Sequence, residues 1–205
     1  MNLKQIHYIS GLTITVFVAL HLFNHAISIY GPEAHIETME VLRVFYRNII
    51  VESLLLLAVL VQIISGLKLF FDHRSRASTF FEKLHIWSGF YLAFFFLFHV
   101  GAVMAGRYLL ELDTNFYFGV AGLNTFPLSL FFTPYYGLAI ISFFAHIASV
   151  PRLKMKNTML GVSVTAQSYT IFIFGVLITI FILYGLTGGF EGIPIPDAYN
   201  NIIGK

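Results

Sequence analysis

The sequence predicts an all-α integral membrane protein with five spanning helices, on three observations. The 205 residues are 58% hydrophobic and only 11% charged. Five apolar runs each approach the roughly 20 residues a helix needs to cross a bilayer. Two of those runs also repeat one another, histidines included. A soluble domain of this size has too little interior for so much apolar surface, so lipid is the expected solvent. The whole chain, 1–205, is expected to form one transmembrane domain.

The spans are expected near 6–29, 47–71, 80–105, 134–150 with an extension back toward Pro127, and 167–187. The first lacks the basic leader, short apolar core and small-residue cleavage site of a removable signal peptide. It also carries His21 and His25 near its far end, so it is expected to stay in the mature protein. The second carries Gln62, with Glu52 marking its outer edge; the third opens LHIWSGF; the fourth carries His146; the fifth follows GVSVTAQS. His35 and His73 fall in connections and are expected to be solvated. The long 107–133 connection, with FYFGVAGLNTFP, is expected to lie at the membrane surface, where aromatic residues are favoured.

Lys and Arg concentrate in connections on the cytoplasmic side, which sets the expected orientation. With five spans, the N-terminus and the 72–79 and 151–166 connections share one side, bearing Lys4, Lys68, Arg74, Arg76, Lys83, Arg152, Lys154 and Lys156. The other side bears Arg43, Arg47, Arg107 and Lys205 among Glu33, Glu37, Glu40, Glu111, Asp113, Glu191 and Asp197. The N-terminus is therefore expected in the cytoplasm and the C-terminus outside a cytoplasmic membrane. The formal charge of +2 comes from these anchors, and no basic stretch reads as a nucleic-acid site.

The repeat carries the chemistry. IHYISGLTITVFVALH and LHIWSGFYLAFFFLFH place His7 and His85 each fourteen residues before His21 and His99, a shift of 78 that also maps Ser10-Gly11 onto Ser88-Gly89. Fourteen helical residues advance about 21 Å and return to within about 40° of the starting direction, so each pair lies on one face at two depths. VQIISGLKL (61–69) likewise aligns with AHIASVPRL (145–153), setting Gln62 opposite His146. The unit is thus a helical hairpin used twice, giving a four-helix core plus a fifth helix. Spans one and three run the same way, so His21 and His99 share a depth, as do His7 and His85. Histidines inside spans are costly and default to functional roles. The chain has no cysteine, which excludes thiolate, iron–sulfur and covalent c-type haem ligation, so any haem held here would be b-type and held by histidine. Ser-Gly on the histidine face leaves room for close helix approach or for a flat macrocycle.

These residues resemble the membrane-anchor cytochrome b subunit of succinate dehydrogenase and fumarate reductase, in its single-polypeptide, five-helix form. The resemblance spans nearly the whole chain. It rests on His7-x-x-Ser10-Gly11, His21-Leu22, Gln62-x-x-x-Gly66-Leu67-Lys68, His99-Val100, His146 and Gly161–Ser168 in their order and spacing. It implies two stacked haems b, with His21 and His99 as axial ligands of the distal one and His146 as a ligand of the proximal one. It places the histidine equivalent to His7 near haem propionates or quinone. Gln62 departs from the pattern, standing where the family has the partner of His146.

Spacing alone would instead pair His7 with His85, as in ferric-reductase-like cytochromes, so the second haem site stays open between His7–His85 and His146. The implied activity is electron transfer between a peripheral dehydrogenase and membrane quinone, in a pocket near His25 on one side or near His7 and Ser10 on the other. No G-x-G-x-x-G motif occurs, so flavoprotein and iron–sulfur subunits are expected as partners. A stand-alone dihaem reductase and a haem-free anchor are the alternatives.

Overall fold

The computed structural model describes residues 2–155 and 157–205, so Lys156 lies outside the described residues. Five helices are long and apolar enough to cross a membrane: α1 (Leu3–Ile27, continued by a short 3-10 turn to Tyr30), α3 (Ile49–His73), α4 (Phe80–Tyr108), α6 (Ser129–Lys154) and α7 (Val164–Leu186). Among the described residues, three shorter α-helices, α2 (Pro32–Tyr46), α5 (Phe116–Val120) and α8 (Asn200–Ile203), and a 3-10 turn (Asp197–Tyr199) complete the fold. The protein is an all-α, multi-pass membrane protein of five spans.

The helix starts are written locally. Asn2 with Gln5 and Thr79 with Glu82 form capping boxes, while Asn48, Asn115 and Ser163 each accept a hydrogen bond from a first-turn N–H. α2 begins with Pro32 after Gly31, whose φ of 106° favours glycine. The fourth span starts at Ser129, so the extension back toward Pro127 is present and 134–150 was too short. The helix runs through Pro134, near its start, and Pro151, near its end.

The spans form a ring. α1 packs on α3, α3 on α4, α4 on α6, α6 on α7, and α7 returns to α1; the diagonal pairs α1/α4 and α3/α6 have no comparable packing. Each half of the repeat is thus a packed hairpin, α1 with α3 and α4 with α6. Leu57, Leu97, Phe174 and Leu177 face outward, as expected for side chains solvated by lipid. Between the diagonals lie two cavities, one of about 290 Å³ and one of about 530 Å³, which share Ile14, Leu92, Phe96 and Phe143 as a common wall.

Two expectations about connections are corrected. His35 is 3% exposed, because α2 turns His35, Met39 and Arg43, spaced four residues apart, inward while Glu37 and Val41 stay outside. His73 is in the last turn of α3, half-buried, with Nδ1 donating to Leu69 O at 3.0 Å. The 107–133 connection is also more than a surface loop. Phe116, Val120 and Leu123 join Ile140, Ile182 and Leu186 in one buried cluster, so α5 plugs the end of the bundle.

Candidate haem and quinone site

The far cavity, at the C-terminal end of α1, is built around His21 and His99. α1 and α4 present them from opposite sides, with ring centres 6.2 Å apart, and Phe17 and Phe95 stack on them at 5.7 and 4.8 Å. With a metal–imidazole bond of about 2.0 Å, two imidazoles on opposite faces of one iron have ring centres roughly 6 Å apart. The spacing therefore fits a bis-histidine haem. His21 Nε2 also lies 3.1 Å from His25 Nε2, a contact that iron bound to that nitrogen would replace.

From His21 a polar ladder climbs outward. His25 Nδ1 lies 3.2 Å from His35 Nε2, which also receives Asn24 Nδ2 at 3.3 Å. Asn24 Oδ1 and His35 Nδ1 are buried without a partner among the described residues. Burial pushes the His35 imidazolium down to about 4, with repulsion from His21 and Arg43 adding to it. The cavity mouth is ringed by charge. Arg107 pairs with Glu52, and Arg43, which is buried, hydrogen-bonds Glu40 at 2.7 Å and lies as an ion pair 3.0 Å from Asp113. Arg47 donates to Thr114 Oγ1 at 3.0 Å; burial, Arg43 and Arg107 hold it below the ordinary guanidinium value.

The near cavity, at the N-terminal end of α1, holds His7, Gln62, His85 and His146. His7 Nδ1 meets Ser65 Oγ at 2.9 Å. His146 Nδ1 donates to His85 O at 3.0 Å, and the His85 ring stacks on His146 at 3.9 Å. The ring that faces His7 is therefore His146, at 6.5 Å, rather than His85. Gln62 Nε2 donates to His7 O at 2.6 Å, tying α3 to α1. The Ser-Gly pairs serve close helix approach: a Cβ on Gly11 would stand 2.5 Å from Gln62 Nε2, and one on Gly89 2.9 Å from His146 Cε1. Ser10 turns away from the cavity, its hydroxyl donating to Ile6 O at 2.8 Å.

No family model, curated protein or solved structure matches this chain. Among the described residues no three His, Asp or Glu side chains converge as a metal cage. A haem iron needs only its axial ligands from the protein, so that observation bears on free metal ions and not on haem.

Sequence reasoning missed Ser65, the buried face of α2, and the Glu52–Arg107 pair. Ser65-Gly66 is a third Ser-Gly dipeptide, in the α3 segment that aligns with α6, and that repetition was the available signal.

Proposed function

We propose that this chain is a haem-b membrane anchor that passes electrons between a peripheral flavin and iron–sulfur dehydrogenase and membrane quinone. It would act as does the cytochrome b subunit of succinate dehydrogenase or fumarate reductase that its motifs resemble. The observation that carries the reading is the His21–His99 pair, two histidines from parallel spans at one depth with ring centres 6.2 Å apart inside an apolar cavity. Haem there supplies a one-electron carrier whose potential is set by ligation and burial. The residues around it divide the remaining work. Phe17 and Phe95 fix the imidazole planes, Arg47 offers a cation to propionates, and the His25–His35–Asn24 ladder lines the polar path from the cavity to its rim.

The clustered Lys and Arg at the N-terminal end of α1 suit docking of the dehydrogenase on a cytoplasmic face, with the C-terminus outside. Quinone would then be met at the opposite, far cavity, beside His25. The test is haem per polypeptide by pyridine haemochrome in purified protein, alongside the polypeptides that co-purify. The expected result is haem that is depleted in His21→Ala and in His99→Ala, with flavoprotein and iron–sulfur partners present. A haem-free parent would sink the reading.

A further inference from the structure

We propose that His7 and His146 are the two axial ligands of a second haem b, held in the near cavity. His7 there supplies the ligand that Gln62 does not. The inference rests on the reading of the chain as a haem-b anchor and goes beyond it by assigning this ligand pair.

Four observations converge. The ring centres of His7 and His146 are 6.5 Å apart, close to the 6.2 Å of His21 and His99 and to the roughly 6 Å that one iron requires. Both rings have a fixed tautomer. The Ser65 hydroxyl gives its proton to Val61 O at 2.5 Å, so toward His7 it accepts, and Nδ1 of His7 carries the hydrogen. Nδ1 of His146 carries the hydrogen for the same reason, because its partner is the carbonyl of His85. Each Nε2 is left without a partner among the described residues. An imidazole whose other nitrogen is anchored in this way is the usual state of a metal ligand.

Third, each ring lies against a glycine of its neighbouring helix. A Cβ on Gly66 of α3 would stand 3.4 Å from His7 Cε1, and one on Gly89 of α4 would stand 2.9 Å from His146 Cε1. Fourth, the cavity is about 530 Å³, within the several-hundred-Å³ range of cofactor sites, and Lys4 and Lys154 stand at its rim.

Two other side chains in the cavity compete: Gln62, and His85, whose Nδ1 also donates to a backbone carbonyl, His146 O at 3.2 Å. Gln62 spends its amide on the backbone of α1, and a neutral amide is a weak ligand for iron beside imidazole. His85 is stacked nearly parallel to His146, at 3.9 Å and 17°, so the two cannot take opposite faces of one iron.

The experiment measures haem per polypeptide and low-spin ferric EPR signals in the full-length protein and its variants. Two haems are expected in the parent, Gln62→Ala and His85→Ala. One is expected in His7→Ala and in His146→Ala, and the one that remains is the one lost in His99→Ala. Its retention reports a folded bundle. In His7→Gly, added imidazole is expected to restore the second low-spin signal, which a merely structural role for His7 would not allow. Two haems in His7→Ala, loss of the second haem in His85→Ala alone, or failure of imidazole rescue would each overturn the assignment. A parent with one haem, lost in His99→Ala, would overturn it and leave the anchor reading standing. A parent with none would end both.

Discussion

Breaking the Glu52–Arg107 pair is expected to loosen the far end of the bundle by a specific amount. The pair joins α3 to α4 at the rim of the far cavity, and its side chains are 17% and 18% exposed. An exposed pair is worth about 0–1 kcal/mol, whereas removing one partner of a fully buried pair costs about 3–5 kcal/mol because the other charge is stranded. At about one-sixth exposure the pair stands nearer the buried limit but keeps some access to water. Arg107 also keeps a hydrogen bond to Tyr108 Oη at 3.3 Å. Glu52→Gln and Arg107→Met should therefore each destabilise by about 2–3 kcal/mol. For a chain of this length that lowers Tm by about 4–12 °C. The double variant should lose little more than the worse single one, since it strands no charge. The assay is thermal unfolding in detergent followed by helical circular dichroism, because a chain without cysteine gives thiol dyes nothing to report. Single variants within a degree of the parent, or a double variant equal to the sum of the two, would refute the reasoning.

Two further outcomes follow from packing and charge. Gly185→Ala would put a Cβ on Ser28 Oγ and 2.8 Å from the Ile29 backbone nitrogen, which no rotamer relieves. A cost of about 1–3 kcal/mol is expected, while Gly101→Ala, with open space around it, should stabilise by about 0.5–1 kcal/mol; equal Tm values for the two variants would contradict this. His35 titrates near 4 when folded and near 6.5 when unfolded, so the unfolded chain binds the extra proton between those values. Its contribution to stability is whole above about pH 6.5 and is lost as pH falls toward 4. His35→Gln should flatten the Tm–pH curve in that window, and an unchanged slope would refute it.

The five spans were legible because lipid imposes a crude and strong rule, long apolar runs, that survives without knowledge of partners. What hid was the face of each connecting element. α2 carries Glu33, Glu37 and Glu40 and reads as solvated, yet the spacing of His35, Met39 and Arg43 already marked a second face turned inward. The aromatic run around Phe116 was equally ambiguous, since membrane-surface aromatics and a buried plug have the same composition. Phe116 is 2% exposed only because α5 finds Ile140, Ile182 and Leu186 beneath it, a tertiary fact with no local signature.

Histidine pairing shows the same division more sharply. Equal depth was legible, and it correctly sets His21 opposite His99. Carried one level down, it sets His7 opposite His85, and there the helix itself intervenes. Fourteen residues bring a side chain back about 40° short of its starting direction. On two parallel helices facing across a ring, the same rotation turns one histidine toward one neighbour and the other toward the opposite neighbour. The contacts follow that rule: His7 turns to Ser65 on α3, and His85 turns to His146 on α6. The diagonal on which imidazoles face each other has therefore rotated between levels, from α1/α4 toward α3/α6. On that second diagonal α3 brings only Gln62, and the ring delivered to its side is that of His7. Depth follows from counting residues along one helix, whereas azimuth depends on which helices are neighbours, and that order appears only when the ring has closed.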